Sequence, residues 1–260
     1  MATAPAAAGL PIFYKDLVPL NSKEHATFKT RPIDSAKFMD GQHAVPLTVE
    51  EFVMASRHFP IIFSAGDNPV PLALMGMNEG VNVFMDEAGQ FTSPVYLPAY
   101  VRRYPFMLAR LRPDSDELSL CFDPTTDAVG EFETGGDALF DGEQPTENTQ
   151  NILKFCEDFE QAGARTHQFV EELSKMGLLM EGEVSIQQEG NENPFVYRGF
   201  QMVDEDKLRE LRGDELRKMN QNGMLPLIHA HLFSLQLMRD IFASQVQQGK
   251  VPQAVELPTA

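Results

Sequence analysis

Tyr96-Leu97-Pro98-Ala99-Tyr100-Val101-Arg102-Arg103-Tyr104-Pro105-Phe106 gathers three tyrosines, two prolines and a double arginine into eleven residues, in a chain with five tyrosines in all. Pro98 suits the first position of a short helix, where its missing N–H is no loss. Pro105 ends that helix by disfavouring helical geometry at Tyr104. Beyond it, Phe106 to Arg112 and Leu118 to Phe122 alternate in hydropathy, and Pro113-Asp114-Ser115-Asp116 between them has hairpin chemistry. The stretch thus reads as a short helix handed on to an antiparallel hairpin.

Upstream the pattern is also β-rich. Thr48-Val49-Glu50-Glu51 matches a capping box and opens a short helix to about His58. Phe59 to Phe63, Leu72 to Met77 and Val81 to Met85 read as strands, separated by Gly, Asn, Asp and Pro turns. His25 to Thr30 alternates well enough for another. From Thr146 the apolar residues recur at three and four instead, from Ile152 through Phe155, Phe159, Phe169 and Leu173, with Gly177 as a stop. Two extended runs follow, Glu183 to Gln187 and Phe195 to Val203, joined by a Gly-, Asn- and Pro-rich turn. A helical hairpin from Asp204 to Gly223 comes next, then a last helix from about Pro226 to Gln247 whose apolar residues cover more than one face.

The expected fold is therefore α+β, with a β-rich amino-terminal half carrying short helices, packed on a helical carboxy-terminal half with a small β-hairpin. One domain is expected over residues 10–247, made of a β-rich part at 10–123, an acidic loop at 124–145 and a mainly helical part at 146–247. Loose tails are expected at 1–9 and 248–260.

The formal charge of −17 weighs against nucleic acid and anionic membranes, which call for a basic face. Charge is unevenly spread: residues 1–112 hold ten bases and ten acids, whereas 113–150 hold eleven acids and no base. No apolar run is long enough for a membrane span, and the alanine-rich start lacks signal-peptide character. Cytoplasmic location is expected, with non-classical export left open. The two cysteines, Cys121 and Cys156, are too few for a disulfide scaffold or a thiolate zinc site and read as buried thiols.

Few residues carry legible chemistry. Arg102 and Arg103 sit between Tyr100 and Tyr104, where guanidinium forks can hold a carboxylate, a phosphate or a peptide terminus. They can equally pair internally with the acidic stretch that follows, fixing the helix onto the hairpin. His229-Ala230-His231 lies in a helical pattern, where residues two apart face in different directions. That spacing favours a structural role, with His231 near Ser234 and His229 on the polar side, over a metal pair. The acidic segment lacks the D-x-D-x-D-G pattern closed by a glutamate, so it reads as a solvated, self-repelling loop rather than a calcium site. G-x-S-x-G, P-loop and G-x-G-x-x-G motifs are missing. No metal, cofactor or catalytic residue is assigned. The candidate binding residues are Tyr100, Arg102, Arg103, Tyr104, His229 and His231.

The order Glu51-Phe52, Phe59-Pro60-Ile61-Ile62-Phe63, Leu74-Met75-Gly76-Met77 and Asn82-Val83-Phe84 resembles the bacterial SapC family. So do the Tyr96–Phe106 stretch, Leu120-Cys121-Phe122-Asp123 and Ala138-Leu139-Phe140-Asp141-Gly142. Near the end, Lys207-Leu208, Gly223 and His229-Ala230-His231-Leu232-Phe233-Ser234-Leu235 fit the same pattern. The resemblance spans roughly residues 12 to 245. One departure is visible after Gly89, where the family pattern has tryptophan and this chain has Gln90-Phe91. The resemblance implies an association with surface-layer loci, and with genes for outer-membrane receptors, flavin-dependent halogenases and cupin-like oxygenases. It assigns no catalytic residue. The expectation is a non-enzymatic cytoplasmic accessory protein that binds a peptide or protein partner of surface-layer, envelope or uptake systems, with neither nucleic acid binding nor membrane insertion. The alternative is an enzyme, or enzyme subunit, working with an oxygenase or a flavin-dependent halogenase.

Overall fold

The structure is a computed structural model that describes residues 10–112, 114, 116–187 and 194–250. The expected tails at 1–9 and from 251 onward, part of the Pro113–Asp116 turn, and residues 188–193 of the later turn lie outside the described residues. The chain begins with β1 (Val18–Pro19), β2 (Lys29–Thr30), β3 (Ala44–Pro46), α1 (Phe52–Ala55), β4 (Ile61–Ser64), β5 (Pro71–Leu74) and α2 (Ala99–Arg102). Its middle holds β6 (Phe106–Arg110), β7 (Leu118–Phe122), β8 (Val129–Gly130), β9 (Asp137–Ala138), β10 (Phe140–Asp141), β11 (Gln144–Pro145) and α3 (Glu147–Lys175). The last part is β12 (Leu179–Ile186), β13 (Phe195–Val203), α4 (Glu205–Glu210), α5 (Gly213–Gln221), α6 (Met224–Ser234) and α7 (Met238–Gln247). The fold is α+β, with small sheets and a helical carboxy-terminal half. Among the described residues no helix is long and apolar enough to cross a membrane.

Contacts divide the chain into two units, each made of two segments: 10–38 with 103–160, and 39–102 with the residues from 161 on. The division falls between Arg102 and Arg103 and inside α3, away from the change of sequence pattern near Thr146.

In the first unit the expected hairpin is present. β6 and β7 pair antiparallel from Phe106↔Phe122 to Arg110↔Leu118, and β1 adds to the other edge of β7. Alternation puts Phe106 and Leu108 on one face, where they join Phe122, Val129, Leu139 and Cys156 in a core. The acidic segment differs from the loop expected at 124–145. It carries β8, β9, β10 and β11, and β2 is the central strand between β8 and β9. Val129 and Leu139 supply the reason, since both are buried while the carboxylates around them stay outside. The Leu139 N–H donates to Phe28 O, and its carbonyl accepts from Thr149 Oγ1 at 2.5 Å. A few apolar anchors and local backbone pairing outweigh a high density of solvated charge, because exposed like charges repel weakly in water.

The second unit is built on a sheet of order β12-β13-β4-β5-β3. The late hairpin is therefore no separate appendage, because β13 pairs with β4 through Phe200↔Ser64 and Gln201↔Phe63. Gly182 faces Phe200 across β12 and β13, next to a bulge. A Cβ at Gly182 would lie 2.2 Å from the Phe200 ring, so the ring occupies the space a side chain would take. Behind the sheet, Ile62, Leu74, Phe200, Met238, Ile241 and Phe242 share a core.

Two expectations are corrected in this unit. Val81 to Met85 is not a strand and contributes only an isolated bridge, Met85↔Phe91. The chain instead folds back over Gly76, where a Cβ would sit 2.0 Å from the Val81 carbonyl oxygen, and Val83 N–H donates to Met75 O at 2.9 Å. The Asn82 side chain then accepts from Phe84 N–H, an Asx turn that competes with strand pairing. The last helix is also not continuous: α6 and α7 are separated by a 3-10 turn at Leu235–Leu237.

Candidate functional site

The Tyr96–Phe106 stretch is fixed at its start by Glu51, which is 4% exposed. One carboxylate oxygen, Oε2, accepts from Thr48 N–H and Thr48 Oγ1, each at 2.9 Å. The other, Oε1, accepts from Tyr96 OH at 3.1 Å and from Ala99 N–H at 2.5 Å. The capping glutamate of one helix thus also holds the first turn of α2. Four donors converge on it, which is how a carboxylate is tolerated in a buried position. Burial, and then the negative charge of Glu51, push the Tyr96 hydroxyl above the usual phenol range, so it stays a neutral donor.

On this frame Ala99, Tyr100 and Val101 are buried and Arg102 is exposed. The Arg102 Nε donates to Leu97 O at 3.0 Å, and Nη2 donates to Tyr96 OH at 3.3 Å. Its guanidinium carbon lies 5.8 Å from the Tyr96 ring centre, and Leu97 beside it is 37% exposed. An aromatic ring, an aliphatic side chain and a guanidinium are held together at the surface of the second unit.

The next two residues have a different fate, within the first unit. Arg103 is 7% exposed. Its guanidinium lies 4.3 Å above the Phe159 ring and 6.0 Å from that of Tyr14, and it pairs with Glu160 at 3.5 Å. Internal pairing was one of the two readings of the arginines, but the partner is on α3 rather than in the acidic stretch after the hairpin. Tyr104 is buried, stacks on Phe38 at 4.2 Å and meets Tyr14 edge-on at 5.3 Å. Burial first, then the Asp123 charge, raises its hydroxyl above the ordinary range. The Tyr104–Pro105 peptide is cis.

The histidine pair also separates. His229 is exposed, and Nδ1 is 2.8 Å from Leu225 O within its own helix. His231 is fully buried, with both ring nitrogens engaged: Nδ1 lies 2.8 Å from Ile61 O, and Nε2 accepts from Val203 N–H at 3.1 Å. A carbonyl partner makes Nδ1 the donor, so the ring is neutral. Burial, only partly opposed by the Ile61 carbonyl, lowers its pKa to about 4. Ser234 Oγ donates to His231 O at 2.6 Å and itself accepts from Ile61 N–H. His231 therefore pins α6 to β4 and β13.

Of the six candidate residues, Tyr100, Arg103, Tyr104 and His231 are built into the interior, and Arg102 and His229 reach the surface. Among the described residues no group of three His, Cys, Asp or Glu side chains is arranged to hold a metal ion. Burial raises the Cys121 thiol to about 11 and that of Cys156 to about 12, so neither is a ready nucleophile. Sequence reading placed Glu51 in a capping box but missed its second pair of donors, which come from 45 and 48 residues away. It also missed Phe233, an aromatic on α6 that is 66% exposed. Its i, i+4 spacing from His229 was the available signal, and the two rings lie 5.8 Å apart.

A family model described as SapC matches residues 20–241. The chain belongs to the SapC family. No curated protein and no solved structure matches it.

Proposed function

We propose that this SapC-family chain is a non-enzymatic cytoplasmic accessory protein that binds a peptide or protein partner of bacterial surface-layer, envelope or uptake systems. The observation that carries this reading is the cluster of Tyr96, Leu97 and Arg102. Aromatic and arginine side chains are the types that carry most binding energy at protein interfaces. Here the arginine is already braced by Leu97 O and Tyr96 OH, and Glu51 fixes the turn that bears all three residues. Less conformational freedom is left to lose when a partner docks. The enzyme reading is supported less well, because His231 has both nitrogens committed to backbone groups and Arg103 is buried against Phe159.

A photo-reactive amino acid at position 97, introduced in the native host, tests the proposal. The expected result is a discrete protein or peptide adduct that disappears with Arg102→Ala and is absent when the same group is placed at exposed Asp67. Identical adduct patterns at both positions, or a pattern indifferent to Arg102→Ala, would contradict it.

A further inference from the structure

We propose that a groove between α7 and the end of β12 binds the carboxyl terminus of a peptide whose last side chain is apolar. This goes beyond the surface at Arg102 and does not rest on it. The groove has a volume of about 760 Å³, within the range that encloses a short ligand. Ile186 and Phe242 form its buried floor, and Val246 on the rim is 39% exposed. Phe195 packs on the Phe242 ring at 4.9 Å and holds the floor in place. The remaining wall residues include Gln187 and Gln247, and among the described residues Arg239 is the one ionic side chain in the lining.

Helix geometry orders these groups. Arg239, Phe242, Val246 and Gln247 lie on α7 at i, i+3, i+7 and i+8 and share a face. From Arg239 to Gln247 the helix rises about 12 Å, the length of about four extended residues. Arg239 is exposed and makes no ion pair, hydrogen bond or ring contact with any described residue. A chain laid along this face sets its terminal carboxylate on the guanidinium fork, which matches a carboxylate through two parallel hydrogen bonds. Its last side chain then covers Phe242 and Ile186. At the far end of this helix face the Gln247 carboxamide offers a donor and an acceptor that peptide groups can use and an alkyl chain cannot. With a formal charge of −17 on the protein, residues upstream of the terminus are neutral or basic, since acidic ones would be repelled.

Neutral hexapeptides ending in leucine, carrying an uncharged fluorophore at the amino terminus and made as free acids and as carboxamides, are titrated into the full chain and followed by polarisation. The free acid is expected to bind. Amidation and Arg239→Gln are each expected to weaken binding by about tenfold or more, the loss of a charge-assisted hydrogen bond. Val246→Glu is expected to abolish binding. Matching melting curves establish that the exposed-site variant Arg239→Gln is folded. The proposal is overturned if acid and amide bind alike, if Arg239→Gln binds as the parent does, if no peptide binds, or if dodecanoate saturates the groove while peptides do not.

Discussion

Replacing His231 with phenylalanine keeps an aromatic ring in the core but removes both hydrogen bonds that join α6 to the sheet. Ile61 and Val203, whose backbone groups the ring satisfies, are themselves fully buried, so no water takes over. An orphaned buried polar group costs about 1–3 kcal/mol, and two of them lower the unfolding free energy by about 3 kcal/mol near neutral pH. The loss also depends on pH. With a folded-state pKa of about 4 against 6.5 in the unfolded chain, the unfolded state takes up the proton first. The stability that the neutral ring contributes is complete above 6.5 and is lost as pH falls toward 4. Between about pH 7 and about pH 4.5 this removes about 2 kcal/mol from the parent protein and nothing from the variant. Only the backbone groups of Ile61 and Val203 and the ring of Phe63 are described against the imidazole, and titrations elsewhere cancel between the two proteins. Urea denaturation followed by circular dichroism should show a gap of about 3 kcal/mol near neutral pH shrinking to about 1 kcal/mol in acid. A gap that stays constant with pH, or no gap at neutral pH, would refute the buried neutral ring and return His231 to the candidate binding residues.

Glu51→Ala removes the acceptor for four donors and should lower stability by about 3 kcal/mol, read by thermal denaturation. It should also abolish the adduct at position 97 by releasing the turn that bears Arg102, and a variant as stable as the parent would disprove the node. Gly182→Ala forces a Cβ against the Phe200 ring, which is 1% exposed. It should cost about 2 kcal/mol or more, and a neutral effect in a urea titration would mean that the ring moves freely.

Local pattern carried much of the fold. The Thr48–Glu51 box, the β6–β7 hairpin and α3 each announce themselves through spacing that depends only on near neighbours. What the pattern missed was long-range. That β13 joins β4, rather than standing alone with β12, depends on residues more than 130 positions apart, and nothing in either segment names its partner. The acidic segment misled because charge was conspicuous while its buried residues, Val129 and Leu139, were few. Arg102 and Arg103 are adjacent and chemically identical, yet one lies exposed beside Tyr96 and the other beneath Phe159. The aromatic setting marked the stretch as unusual, but the ring that covers Arg103 comes from α3, and no local spacing gives that.

Native mass spectrometry of the protein purified from its own host, without chelators, tests the central claim most directly. The accessory reading predicts a species heavier by a peptide or protein, lost when Arg102 is replaced by alanine. A metal ion or small molecule held at one per chain, unaffected by Arg102→Ala, would contradict it and favour the enzyme.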